Sequence, residues 1–139
     1  MRLASIKLNG KEIAGIVTDG GILPIREINA IKGTVWNETM FELIRTGELK
    51  KLTNWYRSGG KEECEGIPGV VPYGEVTYAP LYRNPKRIFG IGLNYSDHAG
   101  DIGDAPPQGF PGSFFKMADT LIGPGDEIML PTLKEACRT

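Results

Sequence analysis

One histidine stands in the 139 residues of this chain, with acids on either side of it: Asp97 immediately before His98, and Asp101 three positions after it. If residues 97–101 form a helical turn, the i to i+3 spacing puts the Asp101 carboxylate on the face of the imidazole. A carboxylate placed there fixes the ring's tautomer and raises its basicity, which is what a water-activating base needs. The same residues equally suit a plain polar turn at the surface, and spacing alone leaves both readings open. Just upstream, Gly90 and Gly92 remove side chains where a strand turns, so the backbone there can approach a ligand or a neighbouring strand closely. They do not make a dinucleotide fingerprint, because Tyr95 occupies the position of its third glycine and no crossover helix with a parallel strand follows.

Composition narrows the classes of partner. Sixteen Lys and Arg against 17 Asp and Glu leave a formal charge of −1, and no basic stripe interleaves with aromatics, so nucleic acid is not an expected partner. No apolar run approaches the ~20 residues of a membrane span, and no apolar signal region follows Arg2 and Lys7. A cytoplasmic protein without a membrane partner is expected. Cys64 and Cys137 sit in no C-x-x-C pair and read as reduced thiols rather than as a disulfide or zinc site. Nineteen glycines and ten prolines punctuate the chain, which suits a β-rich fold with many turns.

The elements that must position these residues begin with a hairpin. Residues 3–8 and 12–18 flank Asn9-Gly10, a pair that tolerates positive φ at both centres of a type I′ turn. Ala4, Ile6 and Leu8 share one face of the first strand, and Ile13, Gly15 and Val17 one face of the second. A turn at Asp19-Gly20-Gly21 leads to a third short strand through Ile22 and Leu23, completing a meander. The apolar period then changes to about 3.6. Asn37 is the expected cap of a helix stapled by Trp36 on Phe41 and ended by Gly47, and a second helix over residues 48–57 carries Leu49, Leu52 and Tyr56 on one face. Residues 58–72, rich in Gly, Glu and Pro, read as a linker. Strands are expected at 75–78, 86–91, 114–117 and 127–130, the last preceded by the turn Gly123-Pro124-Gly125-Asp126.

The run Pro85-Lys86-Arg87-Ile88-Phe89-Gly90-Ile91-Gly92-Leu93-Asn94-Tyr95-Ser96-Asp97-His98 is followed by Pro106-Pro107, Phe115-Lys116, Leu121-Ile122-Gly123-Pro124-Gly125-Asp126-Glu127-Ile128 and Leu130-Pro131. In that order and spacing it closely resembles the opening of the catalytic domain in the fumarylacetoacetate hydrolase family. The resemblance covers about residues 84–131, and residues 1–80 look like the small N-terminal domain that many members carry. It implies a β-rich α+β chain: a small N-terminal β-meander with helices over residues 1–80, then, over 81–139, the opening strands of a mixed β-sandwich or β-roll catalytic domain.

The activity implied is that of a divalent-metal-dependent hydrolase or lyase acting on carbon–carbon bonds of 2-oxo acids, of acylpyruvate hydrolase or oxaloacetate decarboxylase type. Some members hydrate or isomerise instead. Magnesium, or manganese, would chelate the substrate's carboxylate and 2-oxo group and act as Lewis acid. His98 matches the family's water-activating histidine, and Asp101 stands where its partner is usually Glu, one methylene longer. Gly92, Asn94 and Tyr95 would shape the pocket wall. Lys116 matches a family lysine that would either contact a substrate carboxylate or form a structural ion pair. Asp126 and Glu127 read as turn acids.

The family's metal ligands, a Glu-x-Glu pair and an aspartate, lie downstream of the Leu-Pro motif matched by Leu130-Pro131, and none maps onto residues 132–139. The sequence therefore reads as a fragment or truncated product, or as one whose remainder another chain supplies. Alone it is expected to bind no metal and to be inactive, while the intact form would be a homodimer. Apolar strands such as 86–91 are expected to keep unpaired edges. The rival reading is a non-catalytic interaction module that binds a partner chain.

Overall fold

The computed structural model describes residues 1–83, 85–92, 110 and 112–130. They form an α+β arrangement with two antiparallel sheets, falling into two compact units: residues 1–82 with 122–130, and the described part of residues 83–121.

The first unit opens with the expected hairpin. Strands β1 (Leu3–Leu8) and β2 (Lys11–Val17) pair antiparallel from Leu8↔Lys11 through Ile6↔Ile13 to Leu3↔Ile16. The turn holds Asn9 at φ 51° and Gly10 at φ 73°, the two positive angles that a type I′ turn demands. Strand β3 (Gly21–Pro24) completes the meander on β2. A fourth strand, β4 (Val71–Pro72), then adds to β3, giving the order β1-β2-β3-β4.

Both faces of this sheet are covered. On one face Ile6, Ile13 and Ile22 are buried with Ala4, Leu8, Val71, Val76 and Tyr78 around them. On the other, Ala14, Ile16 and Leu23 pack with Ile25, Ile28, Met40, Leu43, Leu52, Cys64 and Ile67. The four consecutive buried residues Ile13, Ala14, Gly15 and Ile16 mark β2 as a central strand. Each fully buried Ile or Leu contributes about 1.5–3 kcal/mol relative to exposure.

Helices α1 (Ile25–Lys32), α2 (Met40–Arg45), α3 (Glu48–Trp55) and α4 (Lys61–Glu65) roof the second face. Helix α1 has no counterpart among the expected elements, because only Ile25 and Ile28 of its eight residues are buried and its apolar period is too short to register. Its Asn29 ties down the loop that follows: Nδ2 donates to the Trp36 carbonyl at 2.8 Å, and Oδ1 accepts from the Trp36 N–H at 2.9 Å and the Thr34 hydroxyl at 2.8 Å.

The cap of α2 is Thr39, not Asn37. Thr39 Oγ1 accepts from the Glu42 N–H at 3.4 Å, while Asn37 gives its N–H and Nδ2 to the two Glu48 carboxylate oxygens at 2.8 and 3.0 Å. Phe41 packs on Tyr82, with ring centroids 5.6 Å apart. Gly47, at φ 75°, ends the helix as expected.

Residues 58–72 are not a linker. A kink at Ser58 and Gly59, where Gly59 takes φ 114°, joins α3 to α4, and Cys64 and Ile67 from this stretch enter the main core. The polar composition misled because only one side of the segment faces inward. Nor is 75–78 a regular strand: a 3₁₀ turn spans Tyr73–Glu75, and only Tyr78 bridges to Ile6, supported by the Lys7 N–H to the Thr77 carbonyl at 2.7 Å and the Ala79 N–H to the Ser5 carbonyl at 2.9 Å. Residues 127–130, expected as a strand, form none.

The second unit is a ribbon of β5 (Ile88–Gly92) and β6 (Gly112–Lys116), paired antiparallel from Ile88↔Lys116 to Gly92↔Gly112. Arg83 donates to the Leu121 carbonyl at 3.0 Å, drawing the ends of the unit together.

Candidate functional site

Cross-strand pairing sorts the ribbon's side chains onto two faces. Ile88, Gly90, Gly92, Phe114 and Lys116 share one; Phe89, Ile91, Ser113 and Phe115 share the other. The glycines have a local purpose. A β-carbon at position 90 would stand 2.3 Å from Phe114 Cζ, and one at 92 would stand 3.7 Å from the same ring. The Phe114 ring thus lies over the Gly-x-Gly backbone, and a side chain at 90 would have to displace it from there.

Lys116 is exposed on the Phe114 side, its Nζ 6.0 Å from the ring centroid, at the outer edge of cation–π range. Among the described residues no carboxylate forms an ion pair with it. Gly92 and Lys116 share a face but lie at opposite ends of the ribbon, four residues or about 14 Å apart along the strands. The ribbon therefore does not bring them to one point. His98, Asp101, Asn94 and Tyr95 lie outside the described residues.

The other face is apolar and open. Phe89 is 57% exposed and Phe115 is 69% exposed, although their rings meet edge to face at 5.3 Å. Both outer edges of the ribbon are without a strand partner among the described residues.

In the first unit the Gly-Pro-Gly-Asp turn forms as read. Gly125 takes φ 80°, and Asp126 Oδ2 accepts from the Gly123 N–H at 2.9 Å while Oδ1 pairs with Lys7 Nζ. Asp126 is thereby committed to the turn and to β1. Among the described residues no three His, Cys, Asp or Glu side chains converge, so these residues do not fit the divalent ion that the family resemblance implies. Cys64 is no nucleophile in waiting: burial above all pushes its thiol up to about 11, the Glu63 charge adds to this, and Lys32 opposes it. Phe114 is the residue that sequence reasoning passed over. Nothing short of the β5–β6 register shows that it faces Gly90.

Comparison with known proteins bears on the same residues. The mitochondrial oxaloacetate tautomerase of Bos taurus is 31% identical over 112 residues, 81% of this chain and 32% of its own length. A mitochondrial oxaloacetate tautomerase of Homo sapiens is 36% identical over the same shares. A protein of Pongo abelii named fumarylacetoacetate hydrolase domain-containing protein 2 is 34% identical over 112 residues, again 81% of this chain and 32% of its own. The chain belongs to the fumarylacetoacetate hydrolase family. It spans about a third of the length of these curated relatives. No protein-family model and no solved structure matches it. Within this fumarylacetoacetate hydrolase family chain no described helix is long and apolar enough to cross a membrane.

Proposed function

We propose that the chain supplies the N-terminal domain and the start of the catalytic domain of an enzyme acting on 2-oxo acids, and that its reaction is the keto–enol tautomerisation of a 2-oxo diacid. The observation that carries this reading is the identity of 31% and 36% over 81% of the chain to proteins named oxaloacetate tautomerase. It favours the isomerising branch of the family over carbon–carbon hydrolysis or decarboxylation.

Tautomerisation takes the proton from the enol oxygen and delivers one to the α-carbon, the C=C bond becoming single as the C–O bond becomes C=O, and it cleaves no carbon–carbon linkage. It requires a proton carrier and cationic or hydrogen-bonding groups around the enolate. His98, with Asp101 three residues on, is the proposed proton carrier. Lys116, exposed and cationic at the end of β6, is the proposed carboxylate contact. Gly92, Asn94 and Tyr95 are the proposed pocket wall.

The chain spans about a third of the length of these relatives, and the proposal assigns the metal-holding residues to what corresponds to the other two thirds, leaving the 139 residues by themselves inactive. The test follows decay of the oxaloacetate enol absorbance. The purified chain should not accelerate it with or without Mg²⁺. Fused in frame to the C-terminal two thirds of the human relative, it should, and His98→Ala should abolish the gain. Mg²⁺-dependent acceleration by the chain alone would overturn the proposed inactivity of these 139 residues. A fusion that cleaves acylpyruvates but leaves the enol decay unchanged would overturn the tautomerase reading.

A further inference from the structure

A concavity within the first unit, independent of the 2-oxo acid reading, has the composition of a small-molecule site. It encloses about 330 Å³ between the β2–β3 turn and α4, at the small end of the ~300–1,000 Å³ usual for ligand sites. Its floor is apolar: Val70 and the Tyr56 ring are half-buried and Cys64 is buried, 2% exposed. Its rim is charged with both signs. Lys61 and Glu65 stand one helical turn apart on α4, and Asp19 projects from the β2–β3 turn, all three exposed.

The charges are not spent on each other. Lys61 and Glu65 have the i, i+4 spacing that favours a salt bridge, yet neither they nor Asp19 take part in any ion pair or side-chain hydrogen bond among the described residues. On the same helix Glu63 does pair, with Lys32 at 2.7 Å. The rim thus keeps one cation and two carboxylates available above an apolar floor.

We infer that this cavity binds a small zwitterion with an aliphatic body, of α-amino acid type: its carboxylate on Lys61, its ammonium between Asp19 and Glu65, its side chain on Tyr56, Cys64 and Val70. A 2-oxo diacid is a poor fit, since its second carboxylate would meet two negative charges. This separates the site from the proposed catalytic one.

The test uses the whole 139-residue chain, with amide chemical shifts of residues 17–20 and 61–70 followed during titration. The probes are L-leucine, 4-methylpentanoate (no ammonium), 3-methylbutylamine (no carboxylate) and malonate. L-leucine should bind, and each of the others should bind at least about tenfold more weakly, the loss expected for one charge-assisted hydrogen bond. Lys61→Gln should erase the preference for leucine over the amine, and Asp19→Asn with Glu65→Gln should erase the preference over the acid. These positions are exposed, so all variants should keep the parent circular dichroism. Absence of shifts with leucine at millimolar concentration, or equal binding of any other probe, overturns the inference.

Discussion

Phe114 lies across Gly90 so closely that a β-carbon at position 90 would stand 2.3 Å from the ring's Cζ. Gly90→Ala should therefore push the ring aside and loosen the ribbon by about 1 kcal/mol, a roughly fivefold rise in amide exchange along β5 and β6. Gly92→Ala, with the ring at 3.7 Å, should change exchange much less. Equal effects at the two positions would mean that the ring does not determine which glycine is required.

Glu48 receives two hydrogen bonds from Asn37, 11 residues away, and so clamps the loop before α2 to the first turn of α3. Glu48→Ala should lower stability by about 1–2 kcal/mol, since it leaves the Asn37 N–H without its charged acceptor. Urea unfolding followed by circular dichroism measures this directly. Asn37→Ala should do less, because the backbone bond at 2.8 Å survives.

Cys64 ties stability to alkaline pH. Its thiol is held up to about 11 in the fold, against about 8.5 in an unfolded chain. Between those values the unfolded state gives up the proton and the folded state keeps it, so stability is full below about pH 8.5 and falls as pH rises through about 11. The urea midpoint of the parent should therefore drop across this window more steeply than that of Cys64→Ala. Parallel slopes would show that the thiol does not take part.

The exposed face of Phe89 and Phe115 should bind a hydrophobic dye and promote self-association. The double substitution Phe89→Ser, Phe115→Ser should lower dye fluorescence and the associated fraction in size-exclusion chromatography. Unfolding of the first unit should move by no more than about 0.5 kcal/mol, the usual range for exposed positions. Unchanged dye binding would place the responsible surface elsewhere.

Features set by a few neighbouring residues are legible in the amino-acid sequence itself. Asn9-Gly10 makes its turn because both positions accept positive φ, Gly47 ends α2 for the same reason, and Asp126 reaches a backbone N–H only three residues away. The sharing of faces along β1 and β2 follows from the two-residue period of a strand. The family is legible because several short motifs occur in order, and comparison with relatives bears that out.

What stays hidden depends on residues far apart in the chain. Gly-rich, acidic 58–72 has the composition of a linker, yet Cys64 and Ile67 are buried there against strands and helices from residues 14–52. Asn37 has the features of a cap because its acceptor, Glu48, is a turn and a helix away. Gly90 and Gly92 suggest room for a ligand, and only the pairing of β5 with β6 sets the Phe114 ring above them. Local dihedral preferences can be read from a sequence one turn at a time, whereas register and burial are collective and exist only once distant segments have met.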